Sequence, residues 1–219
     1  MKCIPSAIAV VVMFAAPAWA QESAEMRVSG NVTAASGCSI SISNGGVVEL
    51  GEIPYANLNQ SSTLNLGVVQ RTVSVVCDSP RRFALSVYDN REGTLNPALA
   101  ACTHCLSMGS TAGHRPIGFY GLDFDYAPLV DGATQTLLTS NDLVSWEMFF
   151  GYYLSPVAKV PQSNARRYVA AGAGASTVVA ATTASWEFNV AMFLESRDTM
   201  AISGPTTIDG SSTLDLIYL

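Results

Sequence analysis

Charge is scarce in this chain. Asp, Glu, Lys and Arg make up 13% of its 219 residues, and 11 basic residues face 17 acidic ones, a formal net charge of −6. That balance excludes a nucleic-acid binder, because phosphate contacts draw on Lys and Arg. Histidine is nearly missing: His104 and His114 are the two copies. The motifs GxSxG, HExxH, GxGxxG and GxxxxGK followed by Ser or Thr are all absent. With them go the usual signatures of a serine hydrolase, a zinc protease, a dinucleotide site and a P-loop. No long segment has a helical apolar period with caps, and no unbroken apolar run of about 18 residues suggests a membrane span.

What the chain does have begins with a leader. Residues 1–20 read as a secretory signal peptide, with Lys2 as the positive end, Ala7 to Pro17 as a short apolar core and Ala18-Trp19-Ala20 as a small-x-small cleavage site. The expected mature chain starts at Gln21 and is an exported protein of the periplasm or cell surface. The 219 residues less 20 leave 199, enough for one large or two small domains. Loss of Lys2 takes the formal charge from −6 to −7. Cys3 leaves with the leader, so five cysteines become four: Cys38, Cys77, Cys102 and Cys105.

The mature pattern is β almost throughout. Val73, Val75 and Cys77 alternate with Ser74 and Val76; Phe83, Leu85 and Val87 with Ala84, Ser86 and Tyr88; Trp186, Phe188, Val190 and Met192 with Glu187, Asn189, Ala191 and Phe193. Turn residues punctuate these runs at Asn44-Gly45-Gly46, Asp78-Ser79-Pro80, Asp89 to Gly93, Asp131-Gly132 and Asp209-Gly210. The expected fold class is an all-β sandwich. The small-residue run Ala170 to Ala175 reads as a loop or irregular edge. Gly93 to Arg115 is the least strand-like stretch and reads as an inserted loop, with a domain boundary near residue 110 as the alternative to one elaborated sandwich. The final segment, Ser211 to Leu219, reads as a strand. Leu214, Leu216 and Tyr218 share one face, and Thr213, Asp215, Ile217 and Leu219 the other. An apolar strand in that position is either the last strand of a sandwich or one used in assembly by strand exchange.

An even cysteine count in an oxidising compartment favours disulfides. A Cys38–Cys77 bridge would join two strands and constrain the unfolded chain by roughly 4 kcal/mol. For Cys102-Thr103-His104-Cys105 three readings stand: a local disulfide worth roughly 2 kcal/mol, a redox CxxC, and a zinc site drawing on His104 or His114. Other candidate chemistry is thin. Asp123 and Asp125 share a strand face and read as solvated carboxylates rather than an acid–base pair. Arg166-Arg167 reads as surface. Trp146 and Trp186 read as core before they read as a sugar-stacking platform. No catalytic residue, cofactor or metal is expected, and the chain reads as a non-enzyme.

Two sets of residues resemble known groups. Val28-Ser29-Gly30-Asn31-Val32 leading to Cys38, then Cys77 after Ser74-Val75-Val76, resembles the start of chaperone–usher pilins, and the penultimate Tyr218 in an alternating strand is similar to their end. The chain as a whole resembles the fimbrial-like DUF1120 family. The matching stretches are Ser43 to Val47 with Leu50-Gly51, Asp89 to Thr94, Ile117 to Tyr120, Asp131-Gly132, Ser140 before Trp146, and Ile208-Asp209-Gly210 through Leu219. The resemblance implies an immunoglobulin-like, pilin-like sandwich over 38–219 with an incomplete sheet and an insert at 93–115. The missing strand would be supplied first by a periplasmic pilus chaperone and then, at the usher, by the N-terminal extension of another fimbrial subunit. Residues 21–37 would hold that extension and the first strand, with Ala24, Met26 and Val28 as the donor face. Leu214, Leu216, Tyr218 and Leu219 would form the strand that docks the chaperone. Two other functions compete: a surface adhesin that binds a glycan or host receptor through the 93–115 loop and Trp146, and a self-complete periplasmic protein with a metal- or redox-active loop.

Overall fold

A computed structural model of the chain describes residues 37–149, 154 and 167–219. The proposed leader and the candidate donor face Ala24, Met26 and Val28 lie outside the described residues, as does Arg166. The β expectation holds: the described residues form two antiparallel sheets, with one four-residue helix, α1 (Arg197–Met200).

Sheet one is built on two long strands, β2 (Leu64–Arg81) and β12 (Ala181–Leu194). It runs in the order β1 (Cys38–Ile42), β2, β12, β5 (Gly118–Phe124), β4 (Leu106–Ser107). A hairpin of β6 (Leu129–Val130) and β7 (Ala133–Thr134) also pairs with β12 through β6. Its two-residue loop is Asp131-Gly132, with φ of 48° and 82°. Two consecutive positive φ values match the twist of the flanking strands, and Asp and Gly tolerate them. Asp131 then accepts hydrogen bonds from the Thr182 and Thr183 backbone N–H groups. These bonds hold its carboxyl below the usual range and pin the hairpin to β12.

Sheet two runs β13 (Ser212–Tyr218), β3 (Phe83–Asp89), β10 (Tyr168–Ala173), β8 (Thr136–Ser140), β9 (Glu147–Met148), with β11 (Thr177–Val178) on β10. The inward faces of the sheets are the alternating sets read from the sequence. Val73, Val75, Phe83, Leu85, Val87, Trp186 and Phe188 are all buried. Phe83 meets Trp186 edge-on at 6.0 Å, and Phe124 stacks on Phe188 at 5.2 Å. Each fully buried large apolar side chain contributes about 1.5–3 kcal/mol.

The structure corrects two expectations. Asp78-Ser79-Pro80 is not a turn but lies inside β2, which runs on to Arg81. Ala170 to Ala173 is neither loop nor edge but the interior strand β10, between β3 and β8. A Cβ on Gly172 would lie 2.1 Å from Leu138 Cδ1, so the small residues let the two strands close around Leu138. Packing overrode weak β propensity. Ala84 and Ala170 are buried in a second, outer cluster with Leu138 and Val178, against which Leu143, Trp146 and Tyr168 pack. The described residues belong to one compact unit, without a boundary near residue 110. The stretch from Gly93 contains a short 3-10 turn (Pro97–Leu99) and β4, with Leu106 and Met108 in the main core.

Candidate functional site: an apolar groove beside the last strand

In an immunoglobulin sandwich, strands A, B, E and D form one sheet and C, F and G the other. Here β1, β2, β12 and β5 stand in the A-B-E-D order, and β13 pairs with β3 as F pairs with C. Among the described residues, no strand pairs with the outer edge of β13, the place of G.

A groove of about 1300 Å³ opens beside that edge. Its floor is the inward face of β12: Phe188, Val190, Met192 and Leu194. Tyr120 and Leu122 extend the floor onto β5. One wall is Leu214 of β13; the other is the unpaired segment after β1, whose Val48, Leu50 and Ile53 are half-buried against the core. The groove has a direction. Tyr218 lies at the Trp186 end, where its hydroxyl accepts a hydrogen bond from the Cys38 N–H at 2.7 Å and joins β13 to β1 across the sandwich. Gly210 and Ser212 lie at the opposite end against Tyr120, which is level with Met192 in the strand register.

Polar contacts fasten that second end. The buried Asp89 accepts from the Ser107 N–H and the Arg91 N–H, both at 2.9 Å. Arg91 pairs with Asp209 at 2.6 Å, just before β13, and the Asp209 N–H donates to the Met108 carbonyl at 3.1 Å. Asn90 donates to Ser211 and Thr213 at 3.0 Å. Burial pushes the Tyr120 phenol up to about 12, although a hydrogen bond with Ser212 works the other way. The stretch read from the sequence as an insert therefore contributes Met108 to the groove lining and Ser107 to the fastened end.

The expected site residues separate clearly. Cys38 and Cys77 are directly opposed in the β1–β2 register and bridged. Cys102 and Cys105 form the local disulfide. The His104 imidazole lies with both sulfurs in a cluster whose ligand atoms fall within 4.8 Å of one another, but the sulfurs are committed to each other. His114 is exposed and not in this cluster. Leu214 and Leu216 point half-buried toward the core, whereas Tyr218 and Leu219 are exposed. Asp123 and Asp125 face outward; burial first, then repulsion from Asp125, raises the Asp123 carboxyl. Trp186 is core and Trp146 packs half-buried on the outer cluster. Sequence reasoning missed Arg71. It is in phase with the inward-facing Val69, Val73 and Val75, so the alternation itself carried the signal for a charged residue lining the groove.

Among the described residues, no helix is long and apolar enough to cross a membrane. No curated protein matches the chain. The family model described as "Protein of unknown function (DUF1120)" matches residues 26–106, and over that stretch the chain is similar to that family.

Proposed function

We propose that this chain is an exported, non-enzymatic subunit of a fimbrial or fimbria-like assembly, completed by a strand from another protein. The observation that carries the reading is the edge of β13, which no strand among the described residues covers, beside the groove. An exposed strand edge offers main-chain N–H and C=O groups, and a row of alternating apolar residues below it offers pockets; together they recognise an extended segment. A periplasmic pilus chaperone would fill the groove first and be displaced at the usher by the N-terminal extension of the next subunit, with Ala24, Met26 and Val28 as the inserted face. Burying Met26 and Val28 would contribute about 3–6 kcal/mol, with less from Ala24. Both disulfides suit an oxidising compartment.

The test is expression of the mature chain in the periplasm, alone and with a pilus chaperone, followed by size-exclusion chromatography. A chain recovered only as a one-to-one chaperone complex supports the reading. A stable monomer without chaperone, with a groove that binds no extended peptide, overturns it. Deleting residues 21–26 separates the two roles: chaperone binding persists and assembly is lost.

A further inference from the structure

Among the described residues that line the groove, Arg71 is the only basic one. Arg71 is half-buried on the inward face of β2, directly opposite Phe188 in the strand register. Its Nη1 donates to the Gln70 carbonyl at 2.8 Å and its Nη2 to the Val47 carbonyl at 2.7 Å. Its Nε is shielded from solvent and has no hydrogen-bond partner among the described residues. Guanidinium presents five donors in a planar fork that matches a carboxylate. The carboxylates on the groove wall, Glu49 and Glu52, are exposed and make no ion pair with it among the described residues.

The chain contains a segment that matches this site. In the sequence Gln21-Glu22-Ser23-Ala24-Glu25-Met26-Arg27-Val28, an extended backbone puts Glu22 on the same face as Ala24, Met26 and Val28. One acid is followed by three apolar residues at alternate positions over a span of seven residues. The groove floor repeats that span: Phe188, Val190, Met192 and Leu194, with Arg71 beside Phe188 at one end. Direction agrees as well. β13 runs from Ser212, beside Tyr120, to Tyr218, at the Trp186 end. A strand added antiparallel to β13 has its N-terminal end near Tyr218, which puts Glu22 at the Arg71 end and Val28 toward Leu194. The parallel direction would bring Val28 to the guanidinium instead.

We infer that Arg71 and Glu22 of a second copy of this chain form the ion pair that sets the register and direction of the inserted strand. The inference rests on the donor-strand reading above and adds to it self-assembly with a defined register. Shifting the donor by one residue would turn its apolar face outward, and shifting it by two would leave Arg71 facing Ala24.

Charge reversal in the full mature chain tests it. Glu22→Arg and Arg71→Glu should each weaken self-assembly about tenfold or more, because each sets like charges against each other in a partly buried site. Mixed together, the two variants should assemble again, because each donor then meets an opposite charge in the other's groove. That rescue also reports that both variants fold. Glu25→Arg, on the opposite face, should change little. Sedimentation and room-temperature gel laddering read the outcome, with Leu214→Lys, a change at the half-buried groove wall, as the groove-blocking control. If both reversals assemble like the natural chain while Leu214→Lys blocks assembly, the pairing is wrong and the groove reading stands. If the natural chain never self-associates and Leu214→Lys changes nothing, self-assembly and the pairing both fall.

Discussion

β12 and β13 carry the same alternation of apolar and polar residues and meet opposite surroundings. β12 has β2 on one side and β5 and β6 on the other, and its inward residues Trp186, Phe188, Val190 and Met192 are all buried. β13 has β3 on one side and, among the described residues, nothing on the other; its Leu214 and Leu216 are half-buried. Two strands with one pattern therefore differ in how much of their apolar surface the chain itself covers. Of the two leucines, Leu214 lines the groove. The pattern specifies which face turns inward; it does not specify what lies beyond the last edge.

The largest expected effect is at the closed end of this comparison. Trp186→Ala removes a fully buried indole that meets Phe83 edge-on, and should cost about 3–5 kcal/mol, read from the denaturant midpoint of the mature chain. A loss under about 1 kcal/mol would mean that the inner face of β12 is not the packed centre described above.

Next in size are the two disulfides, one joining β1 to β2 and one closing a local loop. Replacing Cys38 and Cys77 by Ala releases a bridge with sequence separation 39 and should cost about 4 kcal/mol on the chain-entropy model. The same change at Cys102 and Cys105, with separation 3, should cost about 2 kcal/mol. Equal losses at both bridges would show that the local disulfide holds more than its own loop.

Alkaline pH probes the fastened end of the groove. The unfolded Tyr120 phenol titrates near 10, and the folded one is held up to about 12. Below pH 10 both states keep the proton and stability is flat. Between 10 and 12 the unfolded state releases its proton first, so stability falls with rising pH, by about 2–3 kcal/mol in all. Tyr120→Phe should remove most of that slope. A slope that survives the substitution would assign the alkaline loss to other groups.

The architecture was largely legible before the fold was known. Val73, Val75 and Cys77 announce one buried face, and Asp131-Gly132 announces a hairpin, because these patterns depend on local geometry that residue types fix directly. The run from Ala170 to Ala173 was misread because its small residues serve a neighbour distant in sequence, Leu138, and only packing reveals that. The groove was less legible still. Its walls come from β12, β5, β13 and the segment after β1, and a missing strand leaves no mark in composition. Arg71 was visible as an arginine, but its inward position mattered only once the groove around it was in view.

The smallest effect sharpens the comparison most. Leu216 on β13 and Leu85 on β3 are direct partners in the strand register, yet Leu85 is fully buried and Leu216 half-buried. Leu85→Ala should cost about 2–5 kcal/mol. Leu216→Ala should cost less, about 1–2 kcal/mol in the isolated subunit, since part of its side chain is already exposed to water. Once a strand occupies the site beside β13, Leu216 loses that exposure and the same substitution should approach the cost at Leu85. Measuring both variants before and after assembly, or with and without chaperone, gives the result directly. A Leu216 penalty that grows on complex formation, while the Leu85 penalty stays constant, places the incoming strand along β13; equal changes at both positions would place it elsewhere.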